Sequence, residues 1–150
     1  MSGPVMIDAN VLVYADDVSD PTRNARANEW LDALWASRLG RISTQALNEY
    51  YVTVTRRLAH GLGQGDARAK VRRYQRWRPW PVDHQTVETA WGIEARFGVH
   101  YWDALIVASA QHTGCAYLLT EDLQHGQQLG AVTVMNPFSV QPHELLSPHA

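Results

Sequence analysis

The sequence predicts a three-layer α/β/α domain in which helices cover both faces of a mostly parallel sheet of about five short strands. Short apolar runs alternate along the chain with segments whose apolar residues recur at helical spacing, and this alternation is typical of such sheets. The length of 150 residues suits one ordinary domain, since a chain of this size buries about 70% of the surface that its unfolded form exposes. The single cysteine, Cys115, cannot form an internal disulfide and indicates a reducing compartment.

The strands and helices of this domain are expected at particular stretches. The strands are the short apolar runs 5–8, 41–43, 81–83, 116–120 and 132–135. The helices cover about 22–38, 44–60, 66–77, 83–98 and 102–113. The last helix is apolar nearly all round, which indicates a buried position. Residues 139–150 show weak periodicity and are expected to form a C-terminal tail after a domain over 1–138.

Charge is distributed unevenly along the chain, although the net charge is only −2. Residues 56–78 contain eight basic side chains against one acid, Asp66, whereas the remaining residues contain five basic and fourteen acidic side chains. Such polarity indicates a polyanionic partner that one surface holds and another surface processes. The sequence shows neither a signal peptide nor a membrane-spanning run, so we expect a cytoplasmic protein without a membrane partner.

Four carboxylates stand where a parallel sheet brings distant segments together. Asp8 follows the first strand, and Asp122 follows the strand over 116–120. Glu49 and Asp103 lie near the starts of two helices. Because strand ends and the helices that follow them share one edge of the sheet, we expect the four acids to converge there. Singly, each also has a structural explanation, as a turn residue (Asp8), an exposed helix residue (Glu49), a helix N-cap (Asp103) or a loop residue (Asp122).

Converging carboxylates need protons or cations. Two unit charges about 4 Å apart interact by roughly 4 kcal/mol at an effective dielectric constant of about 20. At neutral pH, oxygen-only ligands are typical of Mg²⁺ or Mn²⁺. Asn10 and Thr120 lie in the same neighbourhood of the sequence as two of the acids and are expected to orient ligands or water.

The segments that carry these acids resemble the PIN-domain ribonucleases, and most closely the VapC-type toxins of bacterial toxin–antitoxin pairs. The resemblance spans about residues 5–138 in the order expected for the family and implies a PIN-like fold. It lies in "MIDANVLVYA" (6–15), "STQALNEYYVTVTRR" (43–57), "HYWDALIVASA" (100–110), "LLTEDLQHGQ" (118–127) and "VTVMNPF" (132–138).

This resemblance implies an endoribonuclease that hydrolyses RNA phosphodiester bonds with Mg²⁺ or Mn²⁺. It also implies a homodimer and a small antitoxin protein that inserts a peptide near the acids. Asn10 and Thr120 match polar positions of the family's site, whereas Glu121 does not fall on an acidic position. The family's catalytic, metal-binding quartet is matched by Asp8, Glu49, Asp103 and Asp122, of which Asp8 and Asp103 are expected as direct ligands.

An RNA substrate would give the basic stretch a function. Arg72, Arg73 and Arg76 are expected to neutralise phosphates, and neighbouring aromatic side chains could stack on bases. The structural alternative is a solvated helix face with tryptophans in the core.

Two rival functions remain. A phosphoryl-transfer enzyme is disfavoured because Lys70 is the only lysine and no glycine-rich phosphate loop occurs. A non-catalytic RNA-binding or interaction module on the same scaffold is the remaining alternative, and RNA cleavage that depends on divalent ions separates it from the nuclease.

Overall fold

The computed structural model describes residues 3–146, which form one five-stranded sheet covered by helices. The strands are β1 (Val5–Ile7), β2 (Gly40–Arg41), β3 (Tyr117–Leu119), β4 (Gln128–Leu129) and β5 (Val132–Met135). The helices are α1 (Ala9–Asp16), α2 (Pro21–Ser37), α3 (Thr44–Arg56), α4 (Gln64–Arg73), α5 (His84–Phe97), α6 (Tyr101–His112) and α7 (Pro142–Leu145). A 3₁₀ turn over Tyr74–Trp77 continues α4.

The sheet has the order β2-β1-β3-β5-β4, and only the edge strand β4 is antiparallel to its neighbour. This confirms the predicted α/β class and the mostly parallel sheet. In the pairing of β1 with β3, Ile7 lies opposite Leu119. The residues that follow, Asp8 and Thr120, therefore leave adjacent strands side by side at the carboxyl edge of the sheet.

Helix α1 was not expected from the sequence. It begins directly after Asp8, which is its N-cap, and buries Val11 and Leu12. A short apolar run such as Val11–Val13 has no periodicity that separates a buried helix from a buried strand. The chain therefore turns from strand to helix at a single acidic residue.

Two of the short elements differ from the expectation. The strand predicted over 81–83 is wrong, because Pro79 and Pro81 have no N–H for a sheet ladder. Only Trp80 pairs there, in an isolated parallel bridge with Ser43. Strand β4 was missed since it is two residues long, and Gly130, with φ of +67°, forms the turn from it to β5.

The remaining helix boundaries lie within a few residues of those expected. Helix α3 ends at Arg56 rather than near residue 60, and the basic helix expected over 66–77 consists of α4 and the 3₁₀ turn. Helix α6 buries residues 104–110, which confirms its predicted core position. No helix among residues 3–146 is long and apolar enough to cross a membrane.

The segment after residue 138 packs onto α2. The fully buried Trp30 donates its Nε1–H to the carbonyl oxygens of Pro137, at 2.9 Å, and Val140, at 3.0 Å. Pro142 and Leu145 of α7 are also buried. The predicted tail thus contains a short helix, while its residues 147–150 lie outside the described part of the chain. The boundary at residue 138 stays a prediction.

Candidate active site

Asp8 is held at the carboxyl edge of the sheet by neutral hydrogen-bond donors. Its Oδ1 accepts from the Ala9 N–H at 2.7 Å, and its Oδ2 accepts from Thr120 Oγ1 at 2.8 Å. The residue is only 7% exposed. No Lys, Arg or His of residues 3–146 forms an ion pair with it.

This environment makes the charge of Asp8 costly. Burial, together with the negative charges of Asp122 and Glu49, raises the pKa of Asp8 to about 7, although its hydrogen bonds with Thr120 and Ala9 act in the opposite direction. A buried carboxylate that lacks a cationic partner must either protonate or bind a cation. The structure therefore leaves the charge of Asp8 to be compensated by a proton or by a cation.

Asn10, Thr120 and Asp122 form a hydrogen-bond network beside Asp8. Asn10 Nδ2 donates to Asp122 Oδ2 at 3.2 Å and to Thr120 Oγ1 at 3.4 Å. The Asp122 N–H donates to Thr120 Oγ1 at 3.0 Å. Thr120 Oγ1 thus accepts from the backbone N–H of Asp122 and donates to the side chain of Asp8, so the network fixes these two acids relative to each other.

Glu49 and Asp103 contribute from the two helices. Glu49 is exposed, and its charge is one of those that raise the pKa of Asp8. Partial burial and the charge of Asp122 raise the pKa of Asp103, while nearby His100 lowers it. The structure links Asp8 to Asp122 through the hydrogen bonds of Thr120, whereas Glu49 is coupled to Asp8, and Asp103 to Asp122, through charge.

Gln45 is a site residue that the sequence did not single out. Its Nε2 donates to Glu49 Oε1 at 3.0 Å and to the Trp102 carbonyl oxygen at 3.1 Å. Gln45 thereby joins α3 to the start of α6, one residue before Asp103. It stands one helical turn before Glu49, but a half-buried glutamine on an amphipathic helix carries no signal in the sequence that separates it from any other polar residue.

The chemical type of these side chains fits a hard divalent cation, but their positions do not form a preformed metal site. All of their ligand groups are carboxylate, amide or hydroxyl oxygens. Asn10 Oδ1 is buried and has no hydrogen-bond partner among the described residues, which leaves one oxygen free for a ligand. Within residues 3–146, however, no three His, Cys, Asp or Glu side chains lie close enough together to hold one metal ion.

Glu121, which the sequence excluded from the quartet, forms an ion pair instead. Its Oε2 lies 3.2 Å from Nε of Arg23. Arg23 of α2 thus neutralises the Glu121 carboxylate.

The three arginines expected to hold RNA lie in different surroundings. Arg72 and Arg68 of α4 line a groove of about 250 Å³ with Asn48 of α3, next in sequence to Glu49. Arg73 lies over the ring of Trp35 at 4.5 Å. Arg76 lines a different cleft, beside edge strand β2.

Comparisons with known proteins come from a family model and from solved structures. The model described as "PIN domain" matches residues 5–127. No curated protein matches the chain significantly.

Several solved structures share the fold. A structure of FitAB bound to a DNA fragment is 21% identical, with a TM-score of 0.68, and the match covers 93% of this chain and 99% of that one. DNA-bound VapBC from Salmonella typhimurium is 18% identical, with a TM-score of 0.61 and coverage of 90% and 98%. The VapC20 toxin of Mycobacterium tuberculosis, described as cleaving the sarcin-ricin loop, is 20% identical, with a TM-score of 0.59 and coverage of 79% and 89%.

Proposed function

Because this chain belongs to the PIN domain family, we propose that it is an endoribonuclease, dependent on Mg²⁺ or Mn²⁺, and the toxin of a VapBC-type toxin–antitoxin pair. The observation that carries the proposal is Asp8. Its carboxyl group is buried without a cationic partner beside the charges of Asp122 and Glu49. A fold gains nothing from such an arrangement unless a cation binds there.

The metal would be held by the four acids. Asp8 and Asp103 are the proposed direct ligands, with Glu49 and Asp122 as ligands or as groups that position water. When bound, Mg²⁺ or Mn²⁺ activates water and stabilises charge on phosphate oxygens. Since no three acids are within ligating distance in the described chain, Glu49 or Asp103 would have to move towards the hydrogen-bonded pair of Asp8 and Asp122 for three acids to hold one ion.

The chain's neutral groups would orient this site. Thr120 Oγ1 holds one oxygen of Asp8, so the other lone pairs of that carboxylate keep a fixed direction. Asn10 holds Asp122 through Nδ2 and has a free Oδ1 for a ligand or water. Neutral partners of this kind position ligands without competing for the cation.

RNA would reach the acids along the basic side of α4. Arg68 and Arg72 line a groove with Asn48, which precedes Glu49 on α3. The Arg68 guanidinium also lies over the ring of Tyr51, 5.9 Å from its centroid, and its Nε–H donates to the Tyr51 hydroxyl at 3.1 Å. A guanidinium held in this way is preorganised for a phosphate near the cleavage site.

Two protein partners are part of the proposal. A solved structure that matches this chain is described as a toxin–antitoxin complex from Klebsiella pneumoniae, which supports a cognate antitoxin for this chain. Trp91 and Trp102 are 49% and 65% exposed on the paired helices α5 and α6, and large exposed aromatic side chains are typical of interfaces. This supports a homodimer. A cytoplasmic location fits both an RNA substrate and the unpaired thiol of Cys115.

The test is cleavage of a single-stranded RNA by the purified protein. We expect cleavage with Mg²⁺ or Mn²⁺, no cleavage in EDTA, and loss of cleavage in Asp103→Asn with unchanged circular dichroism. RNA cleavage that persists in EDTA and in Asp103→Asn would contradict the proposal.

The non-catalytic RNA-binding module is the second candidate, and the lack of a preformed three-acid cluster in residues 3–146 favours it. It predicts RNA binding that neither Mg²⁺ nor Asp103→Asn changes, with no cleavage under any ion condition.

A further inference from the structure

A second polar cavity lies beside edge strand β2, away from the acids. It has a volume of about 670 Å³. We call it the arginine cleft, and its defining residues are Arg38, Arg41, Arg76, Arg78, Trp77 and Trp80. Arg38 precedes β2, and the last turn of α6 before β3 also lines the cleft. The cleft thus opens towards the amino ends of the parallel strands, whereas Asp8 and Thr120 follow their carboxyl ends.

The positive charge of this cleft is not neutralised by the described chain. Within residues 3–146, no carboxylate lies within ion-pair distance of any of its four guanidinium groups. By contrast, Arg23, Arg26 and Lys70 each contact an acid. Arg41 donates from Nη1 to the carbonyl oxygens of Arg38, at 3.1 Å, and Gly40, at 2.9 Å. Its charge therefore stays within the cleft, where the like charges attract an anion.

Two contacts fix the wall that carries Trp77. The ring lies directly on Gly40, where a Cβ atom would come within 2.3 Å of the ring edge. On the other side, Trp77 contacts Trp35, with ring centroids 5.1 Å apart. Any side chain at position 40 would displace the ring, so this wall is built around a glycine.

The opposite wall and the two flanking arginines are equally constrained. The Trp80 ring stacks on His112, with centroids 5.4 Å apart and an interplanar angle of 10°, and its Nε1–H donates to Thr86 Oγ1 at 3.0 Å. Arg38 and Arg78 both have positive φ, 62° and 51°. Both residues are the left-handed C-caps of the elements that they end, α2 and the 3₁₀ turn, so these elements fix the backbone from which the two exposed side chains extend. The aromatic walls and the backbone of the cleft are therefore preorganised.

We propose that the arginine cleft binds a segment of single-stranded RNA, with phosphates on Arg76 and Arg78 and bases against the tryptophans. Unpaired guanidinium groups beside aromatic rings are typical of single-strand sites. A duplex keeps its bases stacked within its own helix and an acidic peptide has none, so only a single strand offers free bases to the tryptophans. The choice of RNA rests on the proposed function. The cleft then holds the RNA near the amino ends of the parallel strands, while the acids cleave it at their carboxyl ends.

The test measures binding without cleavage. A labelled oligouridylate of about ten nucleotides, within the usual range of single-strand sites, is titrated in EDTA into wild-type protein and into Asp8→Asn. In both backgrounds we expect Arg76→Gln/Arg78→Gln to weaken binding about tenfold, and to lower the slope of log affinity against log salt by about 1.4, since each phosphate contact contributes about 0.7.

The matched control is Arg56→Gln/Arg57→Gln. These arginines are exposed at the end of α3, belong to the same basic stretch, and lie outside the cleft. The control removes the same charge and is expected to change affinity less than about threefold, because only screened long-range attraction is lost. Thermal melts show that both double variants are folded.

Two results would overturn the proposal. One is equal loss of affinity in the cleft variant and the control. The other is that polyglutamate displaces the oligouridylate and binds wild-type protein as tightly, which would assign the cleft to an acidic polypeptide. Because binding is measured in EDTA, binding and cleavage are tested separately. Binding in the cleft without RNA cleavage would refute only the nuclease function, and RNA cleavage without binding in the cleft would refute only the cleft proposal.

Discussion

Helix α1 has a buried carboxylate at each end, and the two have opposite surroundings. Asp16, its last residue, has a side chain that is only 8% exposed; it contacts Lys70, the single lysine of the chain, and accepts from the Tyr50 hydroxyl at 2.6 Å. Asp8, at the N-cap, is as buried but receives only neutral donors and is acted on by two other acids. One charge is neutralised within the fold, and the other is left without a counter-charge.

The difference separates structure from function on one helix. Asp16 joins α1 to α3 and α4 through Tyr50 and Lys70, so its charge stabilises the packing of three helices. Asp8 caps α1 and accepts from Thr120, but it has no cationic partner, and its charge opposes folding wherever the carboxyl group is ionised. A pair of acids eight residues apart therefore gives matched variants, in which the same Asp→Asn change is expected to have opposite consequences.

The largest expected effect is on RNA cleavage. Asp8→Asn should lower the cleavage rate by at least about a hundredfold, because it removes a proposed metal ligand, while Asp16→Asn should leave it within about threefold of wild type. Initial rates on one RNA substrate with Mn²⁺ measure both. Equal losses in the two variants would show that Asp8 acts only through stability.

The next effect is on the pH dependence of stability in EDTA. The pKa of Asp8 is raised from 3.8 to about 7 in the fold, so between these values the native state binds more protons than the unfolded state. The free energy of unfolding therefore falls as pH rises from about 4 to about 7 and is constant for this group above it. Asp8→Asn should remove this part of the slope and be more stable than wild type at pH 8, by roughly 2–4 kcal/mol.

Urea unfolding at a series of pH values checks this prediction. Other carboxyl groups also titrate in this range, so the quantity to compare is the difference between Asp8→Asn and wild type at each pH. A difference that does not grow between pH 4 and pH 7 would contradict the raised pKa.

The smallest expected effect is on stability, when the ion pair between Asp16 and Lys70 is removed. Lys70→Met should lower the free energy of unfolding by about 1 kcal/mol, a modest value because the Lys70 side chain is 47% exposed. Cleavage should be unchanged, since Lys70 does not contact the Asp8 network. Urea unfolding in EDTA at pH 8, with RNA cleavage measured alongside, tests both statements. A loss of cleavage without a loss of stability would move Lys70 into the site.

Residue type and position were enough to find the Asp8 side of the site. An acid after a buried strand is visible locally, and the strand–helix alternation fixes which edge it occupies. The position of Asp8 beside Thr120 follows from the pairing of β1 with β3. The distances between the four acids were not predictable, because they depend on side chains from four separate elements.

Contacts between distant segments explain what the sequence could not reveal. The partner of Asp16 stands 54 residues away on α4, and nothing in the pattern around Lys70 indicates it. The arginine cleft combines Arg38 with Arg76 and Arg78 across the fold, whereas the sequence grouped Arg76 with its neighbours on the helix. Neighbours in the chain suggested which arginines belong together, whereas the fold adds Arg38 and Arg41, which lie far away in the sequence.

The most direct test of the central claim is the thermal stability of wild type, Asp8→Asn and Asp16→Asn at pH 8, with and without Mn²⁺. If the carboxylate network binds a cation through Asp8, Mn²⁺ at a large excess over its Kd should raise the Tm of wild type and Asp16→Asn by about 5 °C or more. The Tm of Asp8→Asn should not change. An absent shift in wild type, or an equal shift in Asp8→Asn, would contradict the claim.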